Sequence, residues 1–152
     1  MNAPAPGRPA PGNPTKEELA ASYGRTIPDV GGPGTRILLV GINPSLWSGW
    51  SGRHFARPGN RLWRTLHGAG ITPGILDPSD EVGIRAAGLG ITNRVARATA
   101  RADELDDDEV RAGVEPLRRL TRAWSPVVVA FLGISTYRIA FGAPKIGVGQ
   151  VE

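Results

Sequence analysis

Two unbroken apolar runs limit what this chain can fold into more than any other feature. Arg36 to Val40 continues as Ile-Leu-Leu-Val, and Val127 to Leu132 reads Val-Val-Val-Ala-Phe-Leu. Neither run alternates apolar with polar residues. Each is therefore expected as a strand buried on both faces, the condition met when helices cover both sides of a parallel sheet. Helical signals flank and separate the runs. Thr15-Lys16-Glu17-Glu18 has the form of a capping box and predicts a short helix through about Tyr23. Asn60 to Gly70 places Leu62, Trp63, Leu66 and Ala69 on one face before a glycine stop. Residues 88 to 95, GLGITNRV, predict a short second strand. Asp106-Asp107-Asp108-Glu109 concentrates negative charge where a helix dipole favours it. Val110, Val114, Leu117, Leu120 and Trp124 follow at three- and four-residue spacing, despite Pro116. Pro126 closes this helix, and Ile134 to Phe141 forms the next. Alternation of helix and strand in this order predicts a three-layer α/β domain around a short, largely parallel sheet.

A chain of 152 residues is long enough for one domain with a substantial core. Residues 1–14 are rich in proline, glycine and alanine and have little to bury, so they are expected to be a disordered tail ahead of a single domain over 15–152. The absence of cysteine removes disulfides, thiolate metal ligands and thiol nucleophiles, and two histidines argue against a zinc site. No apolar run reaches the roughly 18 residues of a membrane span, and MNAPAPGRPAPGNP lacks the core of a signal peptide. A cytoplasmic protein is the simplest expectation. The net charge is +4, but it is unevenly placed. Between Arg36 and Arg101 there are nine arginines against three acids, Asp77, Asp80 and Glu81, a local balance of +6. Such a segment suits a polyanionic partner; a coding bias toward arginine would leave the same count.

Ligands of open parallel sheets collect at the carboxyl ends of the strands. Two such ends are marked here, Gly41-Ile42-Asn43-Pro44-Ser45 and Gly133-Ile134-Ser135. Pro44 stiffens the first turn and biases Asn43 away from the helical region. A rigid asparagine at that place can hold a water or a carbonyl with one donor and one acceptor. It can equally bond its own backbone in an ordinary turn. The loop Leu46 to Arg57 sets Trp47, Trp50 and Phe55 among small residues, with Arg53, His54 and Arg57 interleaved. Glycine and serine permit close backbone approach, an aromatic ring can stack on a flat ligand, and arginine can meet phosphate. Phe55 suits stacking better than its neighbour His54, which alone is more often a surface or capping residue. Other chemistries find no support. There is no Gly-Lys-Ser/Thr phosphate loop and no G-x-S-x-G nucleophile turn. Asp77 and Glu81 fall in a polar linker, and neither lysine, Lys16 or Lys145, lies near the Asn43 loop.

The segment GINPS, its loop, and then FARPGNRLW resemble the motif region of the mismatch-specific uracil-DNA glycosylases and thymine-DNA glycosylases. TIPDV upstream and GITNRVARATARADEL downstream, with its G-[IV]-T and R-x-T elements, are similar to the same family, so the likeness covers residues 26 to about 149. The resemblance implies a monofunctional enzyme, needing neither metal nor organic cofactor, that acts as a monomer on double-stranded DNA. It would flip uracil or thymine mispaired with guanine out of the duplex and hydrolyse the N-glycosidic bond. By that likeness Asn43 positions the attacking water and Phe55 stacks on the extruded base. Backbone amides around Ile42, together with Ser48, would contact the base edge. Arg53, Arg57, Asn60 and Arg61 would hold the loop or the DNA backbone, although Asn60 could equally cap a helix.

Two departures bear on that expectation. Ser45 stands where the family has glycine. The family also continues with another strand and a Pro-Asn-Pro-Ser-Gly-Leu-like wedge, where this chain reads Val148-Gly149-Gln150-Val151-Glu152. On this comparison the domain is expected to lack the last strand and the wedge and to expose a sheet edge. A non-catalytic DNA-binding relic of the family is the alternative.

Overall fold

The structure, a computed structural model, describes residues 12–151; residues 1–11 of the expected tail lie outside that range. Its centre is a parallel sheet in which β1 (Ile37–Gly41) lies between β2 (Leu89–Asn93) and β3 (Val128–Phe131). Leu39 stands opposite Ile91 on one side and Ala130 on the other. Successive side chains of a strand point to opposite faces, so each apolar run feeds two cores. Leu39, Leu89 and Ile91 pack with Trp63 and Leu66 of α3 (Leu62–Gly68) and Ile84 of α4 (Glu81–Ala86). Leu38, Val40, Val129 and Phe131 face Leu117, Leu120 and Trp124 of α6 (Val114–Trp124). Leu38, Ile84, Leu89 and Ile91 are at most 1% exposed, and each such burial is worth about 1.5–3 kcal/mol. The three-layer α/β architecture expected from the alternation is the one observed.

The remaining elements are α1 (Lys16–Ala20), α2 (Leu46–Ser51), α5 (Asp107–Ala112), α7 (Ile134–Phe141) and a single 3-10 turn, Ala102–Glu104. Three of the local expectations need correction. The stretch after Pro44 is not all loop: Ser45 caps α2, its Oγ accepting the Ser48 N–H at 3.1 Å. The serine found in place of glycine thus starts a helix. The acidic linker is partly helical too, because Asp80 caps α4 through the Gly83 N–H at 2.8 Å and Ile84 buries its side chain. The single helix expected after Asp106 is two, meeting at Gly113. Glycine is required there, since a Cβ would lie 2.0 Å from the carbonyl oxygen of Arg94. The break also places Pro116 in the first turn of α6, where its missing N–H costs no helical bond.

The two outer strands differ. Val30 bridges Ile91 on the free side of β2, exchanging hydrogen bonds of 3.0 and 2.7 Å. No strand pairs with the outer side of β3 among the described residues, and Val127 and Val128 are 80% and 49% exposed, so the second apolar run, expected as a strand buried on both faces, is instead a partly buried sheet edge.

Candidate active site

Beyond the last paired residues, the chains leaving β1 and β2 stay side by side. The Arg94 N–H donates to the Gly41 carbonyl and the Val95 N–H to the Ile42 carbonyl, both at 2.9 Å. The Thr99 N–H donates to the Pro44 carbonyl at 3.1 Å. Asn43 is held in this double layer. Its Nδ2 donates to the Arg97 carbonyl at 3.0 Å and to Thr99 Oγ1 at 2.7 Å. Thr99, 1% exposed, passes its own proton to the Arg101 carbonyl at 2.7 Å, so it meets Asn43 as an acceptor. Both amide protons are thus engaged by partners 54 and 56 residues away, and the carboxamide oxygen has no partner among the described residues. Asn43 does not close its own turn. It offers the strand end one fixed acceptor.

The carbonyl that receives Asn43 is itself anchored. Arg97 grips Glu109 with two hydrogen bonds of 2.5 and 2.9 Å and donates to the Tyr23 hydroxyl at 3.1 Å. Glu109 and then Tyr23 raise the guanidinium pKa further above its ordinary value. This bidentate pairing ties the segment after β2 to α5.

Phe55 stands across the same opening. It has φ of 52°, in the left-handed region that side chains with a Cβ avoid, at a cost of about 1–2 kcal/mol. Two neighbours hold it there: Trp63 Nε1 donates to the Phe55 carbonyl at 3.2 Å, and His54, next in the chain, is buried. The ring lies over Gly41, where an added Cβ would come within 3.2 Å of Phe55 Cζ and 2.4 Å of Asn93 Oδ1. The backbone of Gly41 is ordinary strand, so glycine is needed for space rather than for conformation.

Asn93 closes the β2 side. His54 Nε2 lies 2.8 Å from the Pro28 carbonyl, which can only accept, so that nitrogen carries the proton. Burial pushes the His54 pKa below its ordinary value, outweighing the Pro28 bond and the charges of Asp29 and Glu81 that act the other way. The ring is therefore neutral and its Nδ1 accepts, 3.2 Å from Asn93 Nδ2.

The residues singled out in the sequence divide between pocket and support. Phe55 packs against Gly41 at the end of β1, and Asn43 follows two residues further on. The Ile42 side chain points elsewhere, against Gly133, so its main chain alone is available to a ligand. Ser48 is 3% exposed, and its Oγ accepts from Ser45 Oγ at 3.2 Å inside the α2 cap. Asn60 Oδ1 accepts the Leu62 N–H at 2.9 Å in an Asx turn one residue ahead of Arg61, the N-cap of α3, which has no side-chain capping bond. Arg57 and Arg61 are exposed beside it, whereas Arg53 is half-buried and close enough to Asp77 to depress its carboxyl slightly, after the larger effect of the Ser79 hydrogen bonds. The basic middle segment is less free than its count suggests. Arg97 is paired, and Arg94 is 4% exposed, its guanidinium 4.9 and 5.0 Å from the Phe131 and Phe141 ring centres. Trp47 and Trp50 pack edge to face on each other at 5.8 Å.

Asn93, Thr99 and Arg97 complete the site without having been marked as parts of it. A weak signal existed, in the GITN end of the second strand and the R-x-T element that follows. The site as a whole is an aromatic ring, two oriented carboxamides and a neutral histidine, with exposed arginines on the segment after Phe55. Residues 28–152 match the family model of the Uracil DNA glycosylase superfamily.

Proposed function

The chain belongs to the uracil-DNA glycosylase superfamily, and we propose that it hydrolyses the N-glycosidic bond of uracil or thymine mispaired with guanine in double-stranded DNA. One observation carries the reading: Asn43 is bound through both amide protons, so that its oxygen is the group held ready at the strand end. The extruded base stacks on Phe55, and the Asn93 carboxamide meets its polar edge. Flipping costs less at a mismatch, which supplies part of the selectivity. Asn43 Oδ1 accepts a hydrogen bond from the water that attacks the sugar carbon. An amide cannot take the proton of that water. Catalysis therefore rests on positioning and on stabilising the departing base anion and the cationic sugar. Turnover is slow, and the product is an abasic site. Arg57 and Arg61 contact the DNA backbone; their contribution is salt-dependent.

The test is single-turnover incubation of excess protein with a labelled G·U duplex, followed by alkali. Strand breaks at the uracil position are expected, and Asn43→Ala abolishes them. Intact substrate after prolonged incubation with the unaltered protein refutes the proposal.

A further inference from the structure

We propose that His54 is a positioning residue for base selection: its Nε2-protonated ring dictates which way round the Asn93 carboxamide faces the pocket. The inference rests on the glycosylase reading above and concerns a residue that reading does not use. Pro28 offers a carbonyl oxygen 2.8 Å from Nε2, so the ring proton must sit on that nitrogen. The opposite nitrogen, Nδ1, then presents a lone pair, and an N–H is the group that can meet it. Asn93 supplies this N–H at 3.2 Å, and His54 is its one side-chain partner among the described residues. The Asn93 oxygen consequently turns away from His54. It stands over Gly41 beside Phe55, where a Cβ on residue 41 would come within 2.4 Å of it.

An amide fixed in this sense shows the pocket one acceptor and one remaining N–H donor. Uracil and thymine carry an N3–H donor next to the O4 acceptor, the complementary pair. Cytosine carries an N3 acceptor next to an N4 amino donor. It would set lone pair against lone pair and N–H against N–H. Rotating Asn93 by half a turn would reverse the preference, and the lone pair on His54 opposes that rotation. His54 is 4% exposed, so water does not substitute for it. A site that rejects the wrong hydrogen-bond pattern discriminates more sharply than one relying on shape, because mismatched polar groups are left buried and unpaired.

The first measurement uses the unaltered full chain with 15N-labelled histidine. Side-chain nitrogen shifts at pH 7.5 are expected to report His54 as the Nε2–H tautomer; an Nδ1–H tautomer overturns the proposal. The second compares single-turnover release of uracil from G·U duplex and cytosine from G·C duplex. His54→Leu is expected to slow uracil release roughly tenfold, the effect of one lost hydrogen bond, and to lower the uracil-to-cytosine ratio. His54→Asn, which can return an acceptor oxygen to Asn93, recovers the ratio at least in part. The double variant His54→Leu/Asn93→Ala should be no slower than Asn93→Ala alone, since one residue acts through the other. Additive losses, or a His54→Leu protein that loses thermal stability while keeping the wild-type ratio, overturn the proposal. If the unaltered protein releases no uracil, the glycosylase reading fails by itself, and the tautomer measurement still decides how Asn93 is held.

Discussion

Gly41→Ala is the sharpest perturbation of the proposed site, because it adds a single methyl group where two functional side chains converge. The new Cβ would stand 2.4 Å from Asn93 Oδ1 and 3.2 Å from Phe55 Cζ. Ordinary contact between carbon and a non-bonded heavy atom is about 3.5–4.0 Å. Asn93 must therefore retreat by roughly 1 Å, and Phe55 by a few tenths of an ångström. Gly41 is buried and paired with β2 through Asn93, so the backbone has little freedom to absorb the strain. Overpacking of this kind costs about 1–3 kcal/mol of stability. Its effect on base release is larger in proportion: a misplacement of about 1 Å in a positioned group can slow a reaction about 100-fold. Urea unfolding and single-turnover uracil release, measured on the same preparation, separate the two effects. A folded Gly41→Ala protein with wild-type uracil release would refute the placement of Phe55 and Asn93 around the substrate.

Thr99→Val removes the hydroxyl that accepts from Asn43 and donates to Arg101, and it should cost about 1–3 kcal/mol in urea unfolding. Uracil release should fall with it, while Thr99→Ser keeps both hydrogen bonds and stays near wild type. Phe55→Ala removes the stacking ring; with stacking worth about 1–3 kcal/mol per base, uracil release should slow roughly ten- to hundredfold in a single-turnover assay. Acidification should destabilise the fold through His54. Burial holds its pKa below the ordinary 6.5, against the pull of Pro28, Asp29 and Glu81, so the unfolded chain takes up the proton first. Stability from this group is complete above about pH 6.5 and is lost as pH falls through the folded-state value. Urea midpoints between pH 7.5 and 5 should decline in the unaltered protein, and the decline should be shallower in His54→Leu.

The secondary structure was largely legible because its causes are local. Both unbroken aliphatic runs form strands, although only β1 is buried on both faces, and Leu117, Leu120 and Trp124 mark an amphipathic helical face. One misjudged place has a local cause, the Ser45 cap that starts α2, but at the other two a contact from elsewhere intervenes. Gly113 breaks a helix because Arg94 passes beneath it, and α4 forms because Ile84 has a core to enter. Asn43 was likewise visible, as an asparagine locked before a proline at the end of a strand.

The sequence by itself determined the alternating α/β order, the family likeness and the position of that asparagine. Tertiary structure alone decided what the asparagine offers. Its protons go to Arg97 and Thr99, more than fifty residues away, and that leaves its oxygen as the acceptor at the strand end. The same holds for Gly41, which is small to admit Asn93 and Phe55, and for Ser48, expected on a loop but held within the capped first turn of α2. Which face of a carboxamide is free depends on which face is already satisfied. That is settled by partners distant in the chain and brought close by the pairing of β1 with β2.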